Sequence, residues 1–316
     1  MTGFAGRHAQ RGAAILTAML LVTLVASLSA AALWQQWRGI EIETAERARL
    51  QSTWILRGAL DWARLILRED ARAGSTDHLA EPWAVALQEA RLSSFLATGQ
   101  GQSDTMDNMP DAFLSGQISD LQARLNAMNL VQDGVVHAPS ARAFSRLFEN
   151  LHLPEGELLA LIQNLQLALS DNAATNAGKN TYAPLQPQSV DQLAWLGLST
   201  TSIAALKPYI TVLPERTAVN VNTASALVLH ACIGTLKMAD AQRLLVARAQ
   251  THFRTLADVT QALGGADVPL VEGQHSVNSR FFEVRGQMRM GERVVQERSV
   301  VQRDGLVVKV LRRERT

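Results

Sequence analysis

Apolar positions crowd the start of the chain and later fall into periodic patterns. From Ala13 to Leu33 no residue is charged, and only Thr17, Thr23, Ser27 and Ser29 interrupt the apolar run. At about 1.5 Å of helical rise per residue, this stretch spans the roughly 30 Å hydrocarbon layer of a bilayer. Arg7 and Arg11 precede it, and Trp34 and Trp37 follow. That arrangement holds the N-terminus in the cytoplasm and seats aromatic rings at the far interface. Beyond it, Trp54, Ile55, Leu60, Trp62, Leu65 and Ile66 recur at helical spacing, with Arg57, Asp61, Arg64 and Arg68 between them. No proline occurs between Ala13 and Pro82, so the pattern predicts one helix from Ala13 to about Leu67, about 80 Å long.

Three readings of this beginning compete. A secretory signal peptide would use the small residues Ala30-Ala31-Ala32 as its cleavage site, although its apolar core is ordinarily shorter. An uncleaved signal anchor is the second. The third places processing before the apolar stretch, at the Gly12–Ala13 bond. A short basic segment ending in glycine, followed by an uncharged helix that continues past the membrane, resembles a type IV prepilin leader.

The rest of the chain changes period twice. Residues 69–112 are polar and read as loop, and Gln117–Leu130 reads as a strand-like segment running into a turn. From Ser140 to about Gly264 the pattern is helical, with Ala143–Leu153 and Glu155–Ala168 carrying apolar residues at helix spacing. Asn172–Pro187 has the composition of a linker and divides this region into two helical lobes. In Phe281–Met290 the period becomes two, with Phe282, Val284, Met288 and Met290 alternating with Glu283, Arg285, Gln287 and Arg289. Gly291-Glu292 and Asp304-Gly305 separate that run from Arg293–Arg303 and Leu306–Arg313. This predicts a three-stranded antiparallel meander with short hairpins, its alternating arginines on the solvent side.

Composition narrows the chemistry. Among 316 residues, 30 Lys+Arg stand against 29 Asp+Glu, and 47% are hydrophobic, which supports a packed core and argues against a dedicated nucleic-acid binder. The single cysteine, Cys232, forbids an intrachain disulfide and a cysteine-cluster metal site. The seven histidines include no pair at metal-ligand spacing on one helix. No glycine-rich phosphate loop or nucleophile elbow occurs, and His230 and Cys232 are two apart on one helix, where side chains do not face each other. No catalytic, cofactor-binding or metal residue is expected, and the chain reads as a non-enzyme.

Several segments together resemble one family. RGAAILTAMLLVTLVASLSAAALW, WILRGALDWARLILRED, GQISDLQARLNAMNLV, LKPYITVLPERTAVNVNTASA and HSVNSRFFEVRG are similar, nearly end to end, to the general secretion pathway protein K family. That family is the large minor pseudopilin of type II secretion. The resemblance implies an α+β fold: a pilin-like long N-terminal helix packed on a small antiparallel sheet, with a large all-α domain inserted between strands. Residues 1–12 then form a prepilin leader and 13–36 the transmembrane part of the helix. Residues 37–136 hold the rest of the helix and the first part of the sheet region. The insert is 137–275, in two lobes, and 276–316 supplies the C-terminal strands. An insert with its own core is expected to be removable, so excision of about 140–272 should leave a folded body.

The resemblance also implies cleavage by the prepilin peptidase between Gly12 and Ala13, and N-methylation of Ala13. It implies an inner-membrane anchor with the bulk of the chain in the periplasm, and two other minor pseudopilins, of the I and J types, as partners in a tip complex. Pilins carry a glutamate at the fifth mature position; here that position is Thr17. The family commonly binds calcium through an acidic stretch in the helical domain. The corresponding segment here offers Asp171, Asn172, Asn176 and Asn180 beside Lys179, a donor set too poor in carboxylates for a strong calcium site, so no cofactor is expected. A rival reading is a membrane-anchored DNA-binding protein of an uptake system. Residues 219–259 resemble a helix-hairpin-helix module, but the turn Ile233-Gly234-Thr235-Leu236-Lys237 lacks the second glycine.

Overall fold

The computed structural model describes residues 11–92, 112–169, 184–265 and 269–315. The chain divides into two units, Met1–Arg57 and Gly58–Thr316.

Helix α1 runs Arg11–Ala73. In the first unit its apolar side chains face outward; Leu16 is 70% exposed and Val22 68%. The hydroxyls there bond back to the helix: Thr17 Oγ1 donates to the carbonyls of Ala13 and Ala14 at 3.0 Å each, Thr23 to Leu20, and Ser27 to Thr23. Every one of those polar groups is thus answered within the helix, as a lipid environment requires. The helix is long and apolar enough to cross a membrane.

In the second unit, α1 lays Leu60, Ala63 and Leu67 against a five-stranded sheet. The sheet's strands are β1 (Leu87–Arg91), β2 (Ala112–Asp120), β3 (Phe281–Met290), β4 (Arg293–Asp304) and β5 (Val307–Arg315), paired in that order and antiparallel throughout. Ile118, Phe282, Val284, Val301 and Val308 form the face that receives the helix, with Trp83 edge-on to Phe282 at 5.2 Å. The meander β3–β5 follows the alternation in the sequence. Each hairpin turns on a glycine at positive φ, Gly291 at 57° and Gly305 at 56°, a backbone region that other residues enter at a cost. Strand β1 falls within the segment read as loop.

Residues 121–280 interrupt the sheet between β2 and β3. They fold into helices α2 (Ala138–Asn150), α3 (Glu155–Leu169), α4 (Thr200–Leu206), α5 (Ala226–Cys232), α6 (Met238–Gln250) and α7 (Leu256–Ala262), with a 3-10 turn at Asp191–Leu196. Side chains start several of them: Ser199 caps α4, Ser225 caps α5, and Thr255 with Asp258 forms a capping box on α7. Two boundaries differ from expectation. The helical stretches on either side of 172–187 share one buried cluster, which joins Phe144, Leu147 and Leu161 to Leu193, Leu229 and Leu244. Leu125, Leu130 and Val131 also belong to that cluster, so the insert's core begins about ten residues before 137. The loop-like approach to it is a pair of 3-10 turns, Leu121–Ala123 and Ala127–Leu130.

Candidate functional site

Where helix, sheet and insert meet, a set of buried polar side chains replaces the apolar core. Asp70 is on the last turns of α1, Asp77 on the segment after it, Asp120 at the end of β2, Asn220 and Thr223 in the insert, Ser279 before β3, and Arg303 on β4. Arg303 was expected on the solvent side with its neighbours; it is buried. Its Nη1 donates to Asp70 at 2.7 Å, and its Nη2 to Asp77 at 2.5 and 2.7 Å and to the Ser279 carbonyl at 2.9 Å.

Asp120 is buried without a cation in contact. Its Oδ2 accepts from Thr223 Oγ1 at 2.5 Å, Ser279 Oγ at 2.6 Å and Asn220 Nδ2 at 3.1 Å, and its Oδ1 accepts from the Gln122 N–H at 2.7 Å. Burial pushes this carboxyl above its ordinary range, while the four donors pull it back. Asn220 also donates to the Asp77 carbonyl at 3.1 Å and to Ser279 Oγ at 2.9 Å. The segments 74–81, 120–122, 220–223 and 279–280 are therefore fastened through a few side chains. Burial raises Asp77 to about 6 despite Arg303, and raises Glu81 to about 7.

Carboxylate oxygens of Asp70, Asp77 and Glu81 come within 4.8 Å of one another. The Arg303 guanidinium already takes the first two, and Glu81 accepts from the His78 N–H and the Trp83 indole. This is an ion-paired junction held by the chain's own cation. The segment read for calcium, with Asp171, Asn172, Asn176, Lys179 and Asn180, lies outside the described residues. Sequence patterns miss the junction because its members come from six separate segments. Only the polar run Asn220-Val221-Asn222-Thr223, flanked by apolar residues, marks it.

The other residues singled out by sequence are placed as follows. Gly12 and Ala13 sit in the first turn of α1, which begins at Arg11; residues 1–10 lie outside the described set. Thr17 is on the same helix with its hydroxyl satisfied by carbonyls one turn back. His230 and Cys232 do not form a pair: His230 Nδ1 lies 2.7 Å from the Leu236 carbonyl, and Cys232 donates weakly to Leu229. Burial pushes the Cys232 thiol up to about 12, which leaves it unreactive. The hairpin turn at Gly234 faces the guanidinium of Arg146, 3.0 Å from where a Cβ would stand, and Arg146 Nε donates to the Ala231 carbonyl.

With this geometry in view, the chain can be set beside known proteins. Two family models, both described as type II secretion system (T2SS) protein K, match residues 123–215 and 219–278. Type II secretion system protein K of Klebsiella pneumoniae is 29% identical over 332 aligned positions, covering 97% of this chain and 96% of the relative. The protein K of Pseudomonas aeruginosa is 26% identical, covering 91% and 87%, and that of Pectobacterium carotovorum subsp. carotovorum is 24% identical, covering 98% and 97%. A chain in the crystal structure of the GspK-GspI-GspJ complex from the enterotoxigenic Escherichia coli type 2 secretion system shares the fold. Its TM-score is 0.64 at 18% identity, covering 86% of this chain and 98% of that one. Two family models, three nearly full-length relatives and the same helix–sheet–insert architecture agree in one likeness: along nearly its whole length the chain is similar to type II secretion system protein K.

Proposed function

We propose that this chain is the minor pseudopilin at the tip of a type II secretion pseudopilus, initiating or capping its assembly for export of folded proteins. The observation that carries the reading is the match to protein K sequences along nearly the whole chain, membrane helix included. Helix α1 anchors the protein once in the inner membrane, and the body stands in the periplasm. The Escherichia coli relative was solved together with GspI and GspJ, and the partners proposed here are the corresponding I- and J-type pseudopilins. The protein acts by assembly rather than catalysis. Co-purification with its neighbouring pseudopilins tests this; a chain that never associates with them would overturn it.

Processing belongs to the same proposal. The prepilin peptidase cleaves Gly12–Ala13 and Ala13 is N-methylated, so intact mass should place the mature terminus at Ala13. A terminus near Leu33 would point instead to ordinary signal cleavage. A carboxylate within lipid is costly unless a partner amine awaits it, and a subunit with none beyond it has no need of one. Thr17, with its hydroxyl turned back onto the helix, fits that distal place. Crosslinking should find no pseudopilin on its far side, and repetition along the shaft would refute the assignment. Strong calcium binding is not part of the reading: added calcium should leave the melting temperature unchanged, and a saturable rise would overturn that. Duplex DNA is not a partner.

A further inference from the structure

Arg248 lies in the last turn of α6, where the helix dipole favours a cation. Its Nη1 donates to the carbonyls of Val221 at 2.8 Å and Ala224 at 2.6 Å. Among the described residues the rest of the guanidinium meets no acceptor, and no carboxylate lies within ion-pair distance of it. Burial without a neighbouring anion lowers its pKa to about 10. Half-buried, it is answered among the described residues by carbonyl oxygens and by no carboxylate.

The guanidinium lines a pocket of about 540 Å³, with His78, Leu79 and Ala80 on one wall and Asn222, Arg248 and His252 on the other. The rings of His78 and His252 stack at 3.8 Å, 12° from parallel. His78 Nδ1 accepts from the Ala80 N–H at 3.3 Å, and the His252 ring lies against His78. Two carboxylates also face His78. Asp70 is taken by Arg303, and Glu81 lies 3.7 Å from His78 Nε2. Burial and the neighbouring His252 hold His78 below its ordinary value; with Glu81 raised to about 7, acidification neutralises that carboxyl, so the pocket becomes more positive.

We propose that this pocket binds an oxyanion, with Arg248 as its fixed charge, the stacked rings of His78 and His252 as further donors, and Glu81 as the group whose protonation admits the anion. The carbonyl end of α6 opposes an anion here, so the affinity is expected to be modest. An ionised Glu81, 3.7 Å from His78 Nε2, repels a bound anion, and its protonation removes that repulsion. Proton uptake and anion binding therefore favour each other, and by linkage the effect is reciprocal. A free inorganic oxyanion and a carboxylate on a polypeptide share this chemistry.

The test uses the full chain in detergent and titrates sulfate, whose charge is constant over the range, against chloride at matched ionic strength. Histidine ring resonances and calorimetry report binding. Saturable binding at least about fivefold tighter near pH 6 than near pH 8 is expected. It should be lost in Arg248→Met. In His252→Asn, which leaves the carbonyl bonds of Arg248 in place, binding should weaken, and in Glu81→Gln its pH dependence should flatten. An acetate arm separates the sources: tighter acetate identifies a polypeptide carboxylate, tighter sulfate a free tetrahedral anion. Absence of saturable binding at either pH would overturn the proposal. If Arg248→Met does not fold, wild-type affinity in His252→Asn overturns it alone.

Discussion

Asp120 shows how one side chain sets the energetics of the junction. Four donors converge on it, and two of them, the Gln122 amide and the Asn220 side chain, cannot reverse direction. Replacement by Asn turns an acceptor into a donor facing donors and leaves buried groups unpaired. Asp120→Asn is expected to lose about 1–3 kcal/mol in urea denaturation. Arg303→Met strands Asp70 and Asp77 together and should cost about 3–5 kcal/mol, less when Asp77→Asn is added. The carboxyls also give stability a pH dependence whose sign is fixed. Asp77 rises from 3.8 to about 6 and Glu81 from 4.5 to about 7, so the folded state holds protons that the unfolded chain has released. Their contribution is greatest below the ordinary values and is lost as pH rises through about 6 to 7. The denaturation midpoint should fall across that window, and Glu81→Gln should flatten its upper part. An unchanged slope would show that Glu81 is not protonated in the folded protein.

Elements differ in how openly the sequence declares them. On α1, the spacing Leu60, Ala63, Leu67 puts three residues on one stripe, and the sheet buries all of them. Leu67 is fully buried, so Leu67→Ala should lower stability by about 2–5 kcal/mol. The same change at Leu16 should stay within about 0.5 kcal/mol, because its side chain is not in the body. Equal effects at the two sites would contradict the division of labour along the helix. Strands β3 to β5 are readable where one face alone is buried; at the start of β3 Phe281, Phe282, Glu283 and Val284 are all buried and alternation fails. Strand β1, Leu-Gln-Glu-Ala-Arg, is an edge strand with no fully buried residue and an irregularity between Leu87 and Ala90; its side chains have no periodic demand to meet. Arg303 was misplaced for the complementary reason. Alternation tells which side of the sheet a residue takes, but not that a helix end and two loops close over it.

At the scale of the whole molecule, the question is whether the insert is a detachable domain. The family resemblance implies ends at 137 and 275, whereas helical periodicity runs from Ser140 to about Gly264. The bonds cross those ends. Leu125–Asn126 pairs in parallel with Ile210–Thr211, and Val219–Asn220 with His275–Ser276. Asn126 accepts from the N–H groups of Met128 and Leu213 and donates to the Glu215 carbonyl and to Thr217. Leu213 packs with Leu121, Phe281 and Val300 on the sheet's other side. Such pairings join residues far apart in sequence and leave no local period, which is why they were invisible. Excision of 140–272 would strip Leu125, Leu130 and Val131 of their core and Asp120 of two donors. We expect that product to lack fixed tertiary structure, with dispersed amide resonances absent and hydrophobic dye bound. For the same reason residues 58–316, which form one compact unit, should melt in a single calorimetric transition that Asp120→Asn shifts as a whole. Two resolved transitions, or a folded excision product, would mean that each part carries a sufficient core of its own and that the junction merely docks them.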